Sequence, residues 1–307
     1  ELSRRRAAFP MNRSAPAPGW HADLALVGIA LIWGATFVIV KQALDSASTL
    51  VFLALRFAIA TLALTFAFRG RYGRLRDRRR ELRGGVLAGI CLFAGYAFQT
   101  FGLRYTTPSK SAFITGLSIV MVPLIGSLVY RKAPQVSEVL GIASATAGMA
   151  LMTLEGPSLG IAFGDLLTLA CALAFALHIL VIGWFSAGGS FEALSLTQVA
   201  TAALLAASVC GWAEPPRVVW TAGLLTALAV TGLLATALAF SVQAWAQQRT
   251  TPTRTALIFA LEPVFAWITS YLVYGELLAA RAAGGAGLIL AGILLVELKP
   301  IARRKHP

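Results

Sequence analysis

Charged residues are scarce in this chain. They make up 13% of 307 positions, against 58% hydrophobic residues, and the mean hydropathy is +0.76. A water-soluble domain carries about a quarter charged residues. A chain this poor in charge has no polar shell to cover an apolar core, so lipid is its natural solvent. Acidic residues are scarcer still, 13 against 26 Lys and Arg, which leaves a net charge of +13. That excess does not point to nucleic acid. The basic residues fall between apolar runs, where they orient a membrane protein. The three cysteines, Cys91, Cys171 and Cys210, each lie inside an apolar run with no CxxC pair, which excludes a disulfide framework. No HExxH, GxSxG, Walker loop or metal-spaced His/Cys cluster occurs. Hydrolytic, nucleotide-driven and metal chemistry therefore have no motif to rest on. The expectation is a chain that is not an enzyme and uses no cofactor or metal.

What is present is a series of long apolar runs. A spanning helix needs roughly 20 of them in sequence, and ten stretches qualify: 22–43, 49–68, 84–104, 108–130, 136–154, 164–186, 191–212, 218–246, 252–274 and 281–298. With the N-terminus inside, 20 of the 26 Lys and Arg fall in cytoplasmic segments, eight of them in 69–83, and only four in external ones. This places both termini in the cytoplasm of an inner-membrane protein. Residues 1–20 and 300–307 read as disordered or basic cytoplasmic tails. The basic 69–83 segment is expected to rest on anionic headgroups.

The runs are duplicated. Tyr105-Thr106-Thr107-Pro108-Ser109-Lys110-Ser111-Ala112 repeats as Arg249-Thr250-Thr251-Pro252-Thr253-Arg254-Thr255-Ala256, at an offset of 144 residues that also carries Gln99 onto Gln243, Gly141 onto Gly285 and Gly148 onto Gly292. An offset of 142 carries Asp23-Leu24 onto Asp165-Leu166 and Arg56 onto Gln198. Two units follow, 21–154 and 155–299. Each holds five spans, an odd number, so the second enters the membrane from the opposite side. Inverted repeats of this kind underlie alternating access. The predicted fold is an all-α membrane protein of ten transmembrane helices, arranged as two inverted five-helix repeats around a central cavity.

The chain resembles the drug/metabolite transporter superfamily, EamA-type. The residues that carry the likeness are Trp33-Gly34-Ala35-Thr36-Phe37 in the first span, Leu55-Arg56-Phe57 in the second, and Leu261-Glu262-Pro263-Val264-Phe265 in the ninth with Gly275-Glu276 at its end. The resemblance covers about residues 22–298. It implies an exporter or exchanger of metabolites such as amino acids, with a cavity lined by the first, third, fourth, sixth, eighth and ninth spans. The halves differ at the presumed site, where Ser118-Ile119 stands for Glu262-Pro263 and Arg131-Lys132 for Gly275-Glu276.

Several residues are candidates for that site. Glu262 comes first, because a mid-membrane carboxylate is costly and is functional by default. Its roles are proton carrier or partner of a substrate amine; its structural alternative is a pair with Arg or Gln. Helical spacing puts it in a stripe with Thr255 and Thr269, matched by Ser111, Thr115 and Ser118 in the fourth span. Pro263 cannot donate its backbone hydrogen bond and predicts a kink. Arg56 can grip a substrate carboxylate or serve as a structural residue. Its insertion costs about 2.5–3.5 kcal/mol at mid-helix. Tyr96 and Gln99 share one face of the third span, and Gln243 and Gln247 one face of the eighth. These amides can bind ligand or join helices. His178 can relay protons or pack against a hydrogen-bond partner. Trp33, with Thr36 beside it, can stack on a substrate or fill the bundle, as can Phe259. Lys110 and Arg254 are expected to anchor to headgroups, while Thr107 and Thr251 cap their helices ahead of Pro108 and Pro252. Close helix packing is expected at Ser144 and Gly148, or at Ala283 and Gly287. The implied partners are a small-molecule substrate, protons and the bilayer, in a monomer or weak dimer. The competing readings are a membrane-embedded enzyme and a passive channel.

Overall fold

The computed structural model describes residues 20–70, 78–105, 108–130, 133–153, 163–187, 189–274 and 280–297. The tails, Thr107, Arg131-Lys132, Gly275-Glu276, residues 71–77 of the 69–83 loop and the side chain of Lys110 lie outside the described residues. Among the described residues the chain is helical, with one isolated antiparallel bridge between Ala47 and Val218.

The helices are α1 (Trp20–Ser46), α2 (Thr49–Ala67), α3 (Arg78–Gly102), α4 (Pro108–Gly116), α5 (Ser118–Tyr130), α6 (Val136–Thr153), α7 (Phe163–Ser186), α8 (Phe191–Val209), α9 (Ala222–Ala229), α10 (Ala239–Ala246), α11 (Pro252–Phe259), α12 (Glu262–Tyr274) and α13 (Ala280–Glu297). A π-helical segment, Val230–Leu238, joins α9 to α10. Among the described residues five helices are long and apolar enough to cross a bilayer: α2, most of α3, α7, α8 and the continuous run Ala222–Ala246. Helix α1 bends by 43° between Trp20–Thr36 and Ile39–Ser46. Shorter apolar helices cover Phe113–Val129, Val136–Leu151 and Ala280–Val296. Large side chains such as Leu62, Phe66, Leu128, Leu204 and Leu272 stand exposed on the outside, as a lipid-facing surface requires.

Caps follow the sequence. Ser190, Thr221 and Thr251 each accept a hydrogen bond from a backbone N–H three residues on, at Ala193, Leu224 and Arg254. Each satisfies one of the orphan donors of a helix start. Pro252 occupies the first turn of α11, where its missing N–H costs nothing.

Two expected spans are interrupted. The fourth breaks at Leu117, between α4 and α5, and the ninth at Ala260 and Leu261, between α11 and α12. At the second break the backbone tightens, with Ala260 N–H donating to Leu257 O and Leu261 N–H to Ile258 O. Pro263 explains it, because Pro removes the bond to Phe259 and crowds that carbonyl. At the first break Gly116, a weak helix former, ends α4. The eighth expected span starts late. Val218 and Val219 are extended and pair with the end of α1.

Helix α6 packs on α13, α3 on α7 and α8, α2 on α8 and the π-helical segment, α1 on α10, α11 and α12, and α7 on α4 and α5. The α6–α13 contact is backbone on backbone. A Cβ added to Gly148 would lie 2.4 Å from Gly285 O, and one added to Gly292 would lie 2.5 Å from Gly141 O. Ser144 Oγ donates to Leu288 O at 2.8 Å between these two contacts. Numbers rise along α6 as they fall along α13, so the two helices run antiparallel. Ser144 and Gly148 thus pack as expected. Ala283 and Gly287 do not: both are exposed, and nothing lies within 4 Å of Gly287. Helical phase decides this, because Gly285 and Ile289 take the inner face.

Among the described residues two large buried apolar clusters fill the bundle, one around α1, α5–α7 and α11–α13, the other around α2, α3, α8 and the π-helical segment, with a third, small one at Ala88, Ile182, Leu194 and Ala244; Trp33 packs against both large ones. Polar contacts gather at the two ends. At one, Arg254 meets Asp23 and Ser190 N–H donates to Glu81. At the other, Arg104 pairs with Glu214 at 3.2 Å and Ser48 N–H donates to Arg217 O.

Candidate functional site

The break between α11 and α12 sets Glu262 at the first position of α12, facing α1. Gly34 makes that approach close: a Cβ there would lie 2.6 Å from Glu262 O and 2.8 Å from Ala266 N. Glu262 is half-buried. Among the described residues no hydrogen-bond donor or cation meets its carboxylate. The structural alternative, a pair with Arg or Gln, is thus not formed among the described residues. Tyr96 of α3 and Cys171 of α7 lie within electrostatic range of Glu262. Cys171 Sγ lies 3.8 Å from Thr115 Oγ1 of α4, and Ser118, half-buried, opens α5 at the matching break.

An aromatic cluster lies beside this carboxylate. Trp33 meets Phe259 at 4.9 Å and Phe240 at 5.3 Å between ring centroids. Tyr96 meets Phe175 at 5.4 Å, Phe57 at 5.6 Å and Phe240 at 6.2 Å. Most of these pairs are edge-to-face, the arrangement ring quadrupoles favour. Trp33 Nε1 donates to Ala235 O at 2.9 Å, and Thr36 Oγ1 donates to Trp33 O. Trp33 therefore fills and braces the bundle while keeping one ring face against Phe259.

Arg56 is held by protein at its Nε and at one terminal nitrogen. Its Nε donates to Thr236 Oγ1 at 2.7 Å and one terminal nitrogen donates to Tyr96 Oη at 2.9 Å and Ala235 O at 3.4 Å. Its guanidinium lies 4.3 Å from the Tyr96 ring centre. The π-helical segment supplies two of these acceptors. Thr236 Oγ1 reaches back five residues to Thr231 O, in step with the wider turn. Arg56 thus joins α2, α3 and the segment after α9.

His178 and Gln243 are each turned toward helix neighbours. His178 Nε2 lies 2.7 Å from Gln198 Oε1, and the ring stands edge-on to Phe240 at 5.5 Å. Gln243 Nε2 donates to Gln247 Oε1, and Gln247 Nε2 to Ile179 O. Gln99 is half-buried on α3, one turn from Tyr96. Thr255 and Thr269 donate to backbone carbonyls on their own helices, and the break between them interrupts the stripe they were expected to share with Glu262. Arg254 does not serve as a free headgroup anchor; it reaches Asp23 at 2.6 Å.

The sequence matches the model of one known family twice over, at residues 20–154 and 162–298. The chain belongs to the EamA-like transporter family. An uncharacterized transporter of Archaeoglobus fulgidus is 36% identical over 91% of this chain and 86% of its own length. A probable terminal-alkyne amino-acid exporter of Streptantibioticus cattleyicolor is 24% identical over 92% of this chain and 95% of its own. A solved crystal structure shares the fold with a TM-score of 0.75 at 19% identity, covering 91% of this chain and 97% of its own.

The sequence reading missed how this EamA-like chain closes its aromatic cluster. The same offset of 144 that relates Gln99 to Gln243 relates Tyr96 to Phe240, and that of 142 relates Trp33 to Phe175. The ring pairs Trp33–Phe240 and Phe175–Tyr96 are therefore repeat images of each other, at 5.3 and 5.4 Å, with Tyr96 against Phe240 between them. The signal was available in the offset itself.

Proposed function

We propose that the chain is a secondary transporter that exports or exchanges small metabolites, amino acids among them, across the inner membrane by alternating access. The observation that carries this reading is Glu262: a half-buried carboxylate at a helix break, with no protein partner among the described residues, beside Trp33, Phe259 and Tyr96. A carboxylate in that setting receives a substrate amine or a proton. The rings beside it favour an amphipathic cargo. Ser118, Gln99 and Thr36 complete the polar lining in this reading, while Arg56, His178 and Gln243 shape the walls through neighbours.

Ten spans in two inverted units, 21–154 and 155–299, provide the machinery. Helices α4–α5 and α11–α12 count as one interrupted span each, and α9 to α10 as one. Under the repeat, the contact of α1 with α12 corresponds to that of α7 with α5, and α3 with α7 to α10 with α1. The antiparallel α6–α13 pair is what copies of opposite orientation require. Helices interrupted at corresponding positions of two halves point to a binding site between them. The Lys and Arg distribution supports cytoplasmic termini, and with them a cytoplasmic position for the end where Asp23 meets Arg254.

The purified chain is first screened by thermal shift against amino acids, sugars, nucleosides and organic acids, since a ligand of the folded state raises its stability. Proteoliposomes preloaded with the hit then show saturable counterflow, which a passive channel lacks. Glu262→Gln abolishes that counterflow. Counterflow with an unchanged pH profile in Glu262→Gln overturns the role given to Glu262.

A further inference from the structure

A cavity of about 420 Å³ opens on the flank of the bundle, and none of its lining residues belongs to the aromatic cluster. Helix α2 contributes Ala63 and Ala67, Phe68 follows, α8 contributes Phe191, and α10 contributes Val242 and Trp245. The walls are apolar, and Ala67 and Leu238 on them are exposed. All three elements meet here at the end of the bundle that holds the Asp23–Arg254 pair. Phe68 packs edge-on to Phe191 at 6.0 Å, and Ser190, just before it, is bonded to Glu81.

The rim at this end is basic. Arg249 lies one turn beyond Trp245, with its guanidinium 4.4 Å from that ring and a hydrogen bond donated to Trp245 O at 2.8 Å. Arg69 follows Phe68 and is exposed over the Phe66 ring. The chain that continues from there carries eight arginines within 69–83. Two nearby carboxylates turn to the start of α8: Glu192 accepts from Ser190 Oγ at 2.8 Å, and one oxygen of Glu81 accepts from Ser190 N–H at 3.1 Å.

We infer that this crevice holds one acyl chain of an anionic glycerophospholipid of the cytoplasmic leaflet, with its phosphate against Arg249 and Arg69. The volume lies in the range of a small-molecule site, and its apolar walls suit a methylene chain and reject a polar solute. A neutral lipid fills the same walls; the cations select the anionic one. Basic pockets between spanning helices on the cytoplasmic side hold lipid headgroups on the same physical grounds.

The test uses the full chain in mixed micelles with phosphatidylglycerol or phosphatidylcholine, each carrying a photoreactive group on its acyl chain. Labelling is expected on the peptides holding Phe68 and Trp245, with roughly a tenfold preference for phosphatidylglycerol. Arg69→Gln with Arg249→Gln removes the preference and keeps the labelling. Ala63→Phe with Ala67→Phe fills the crevice from one wall and removes labelling at Trp245. Val242→Trp does so from the other, which covers a failure of the first variant to fold. Equal labelling by the two lipids overturns the inference. So does labelling spread evenly over the outer helices, labelling at Trp245 that survives both filling variants, or displacement of the label by a transported solute.

Discussion

Arg254 reaches Asp23 across 2.6 Å, joining the start of α11 to the start of α1 over 231 residues of sequence. Both side chains are about one-sixth exposed, at 17% and 16%, so the pair sits between the weak surface bridge and the buried one. Breaking it with Asp23→Asn is expected to cost about 1–3 kcal/mol. The measurement is thermal unfolding in detergent. The exchanged pair, Asp23→Arg with Arg254→Asp, recovers most of that loss; no recovery would mean that the contact contributes little.

Glu262 behaves differently, because among the described residues it has no partner to lose. Replacing an unpaired carboxylate in an apolar setting by a neutral amide removes a desolvation cost. Glu262→Gln is therefore expected to melt at the same temperature as the parent or higher, while substrate exchange falls at least roughly tenfold, about 1.4 kcal/mol. A drop in melting temperature would identify Glu262 as a structural residue.

Arg56 gives the opposite pattern. Arg56→Met leaves Tyr96 Oη and Thr236 Oγ1 without the donor they receive from Arg56 and is expected to destabilise the chain by about 3 kcal/mol. Arg56→Lys recovers only part of this, since one ammonium cannot reproduce the planar fork. Loss of melting temperature without any ligand present distinguishes this bracing role from substrate binding.

The α6–α13 contact predicts a contrast between glycines. Gly148→Leu forces a side chain against Gly285 O, where even a Cβ would lie 2.4 Å away, and is expected to cost about 3 kcal/mol. Gly287→Ala meets open space and leaves melting unchanged or slightly higher. Equal effects at the two positions would refute the observed phase of α13.

Much of this was legible in the sequence. Apolar runs located the helices because hydrophobic length is a strong local signal, and the offset of 144 brought Gln99 and Gln243 together as partners. Glu262 stood out because a carboxylate is rare in such surroundings. The rest depended on distance in the chain or on backbone detail. Nothing near Arg254 announces that Asp23 receives it. Pro263 signalled a kink, but Leu117, where the other break falls, has no proline beside it. The π-helical segment has no composition that separates it from an ordinary apolar helix. Arg56 was read as either ligand-binding or structural because its acceptors, Ala235 and Thr236, lie 179 and 180 residues away.

The wide turns of Val230–Leu238 also fix a register. They take up more chain per revolution than an ordinary helix, so the residues before them are rotated against those after. Removing a single residue there would keep the stretch just as oily and just as helical, yet swing Ala235 and Thr236 away from Arg56 and Trp33. Along this part of the chain, spacing is a stricter requirement than side-chain identity.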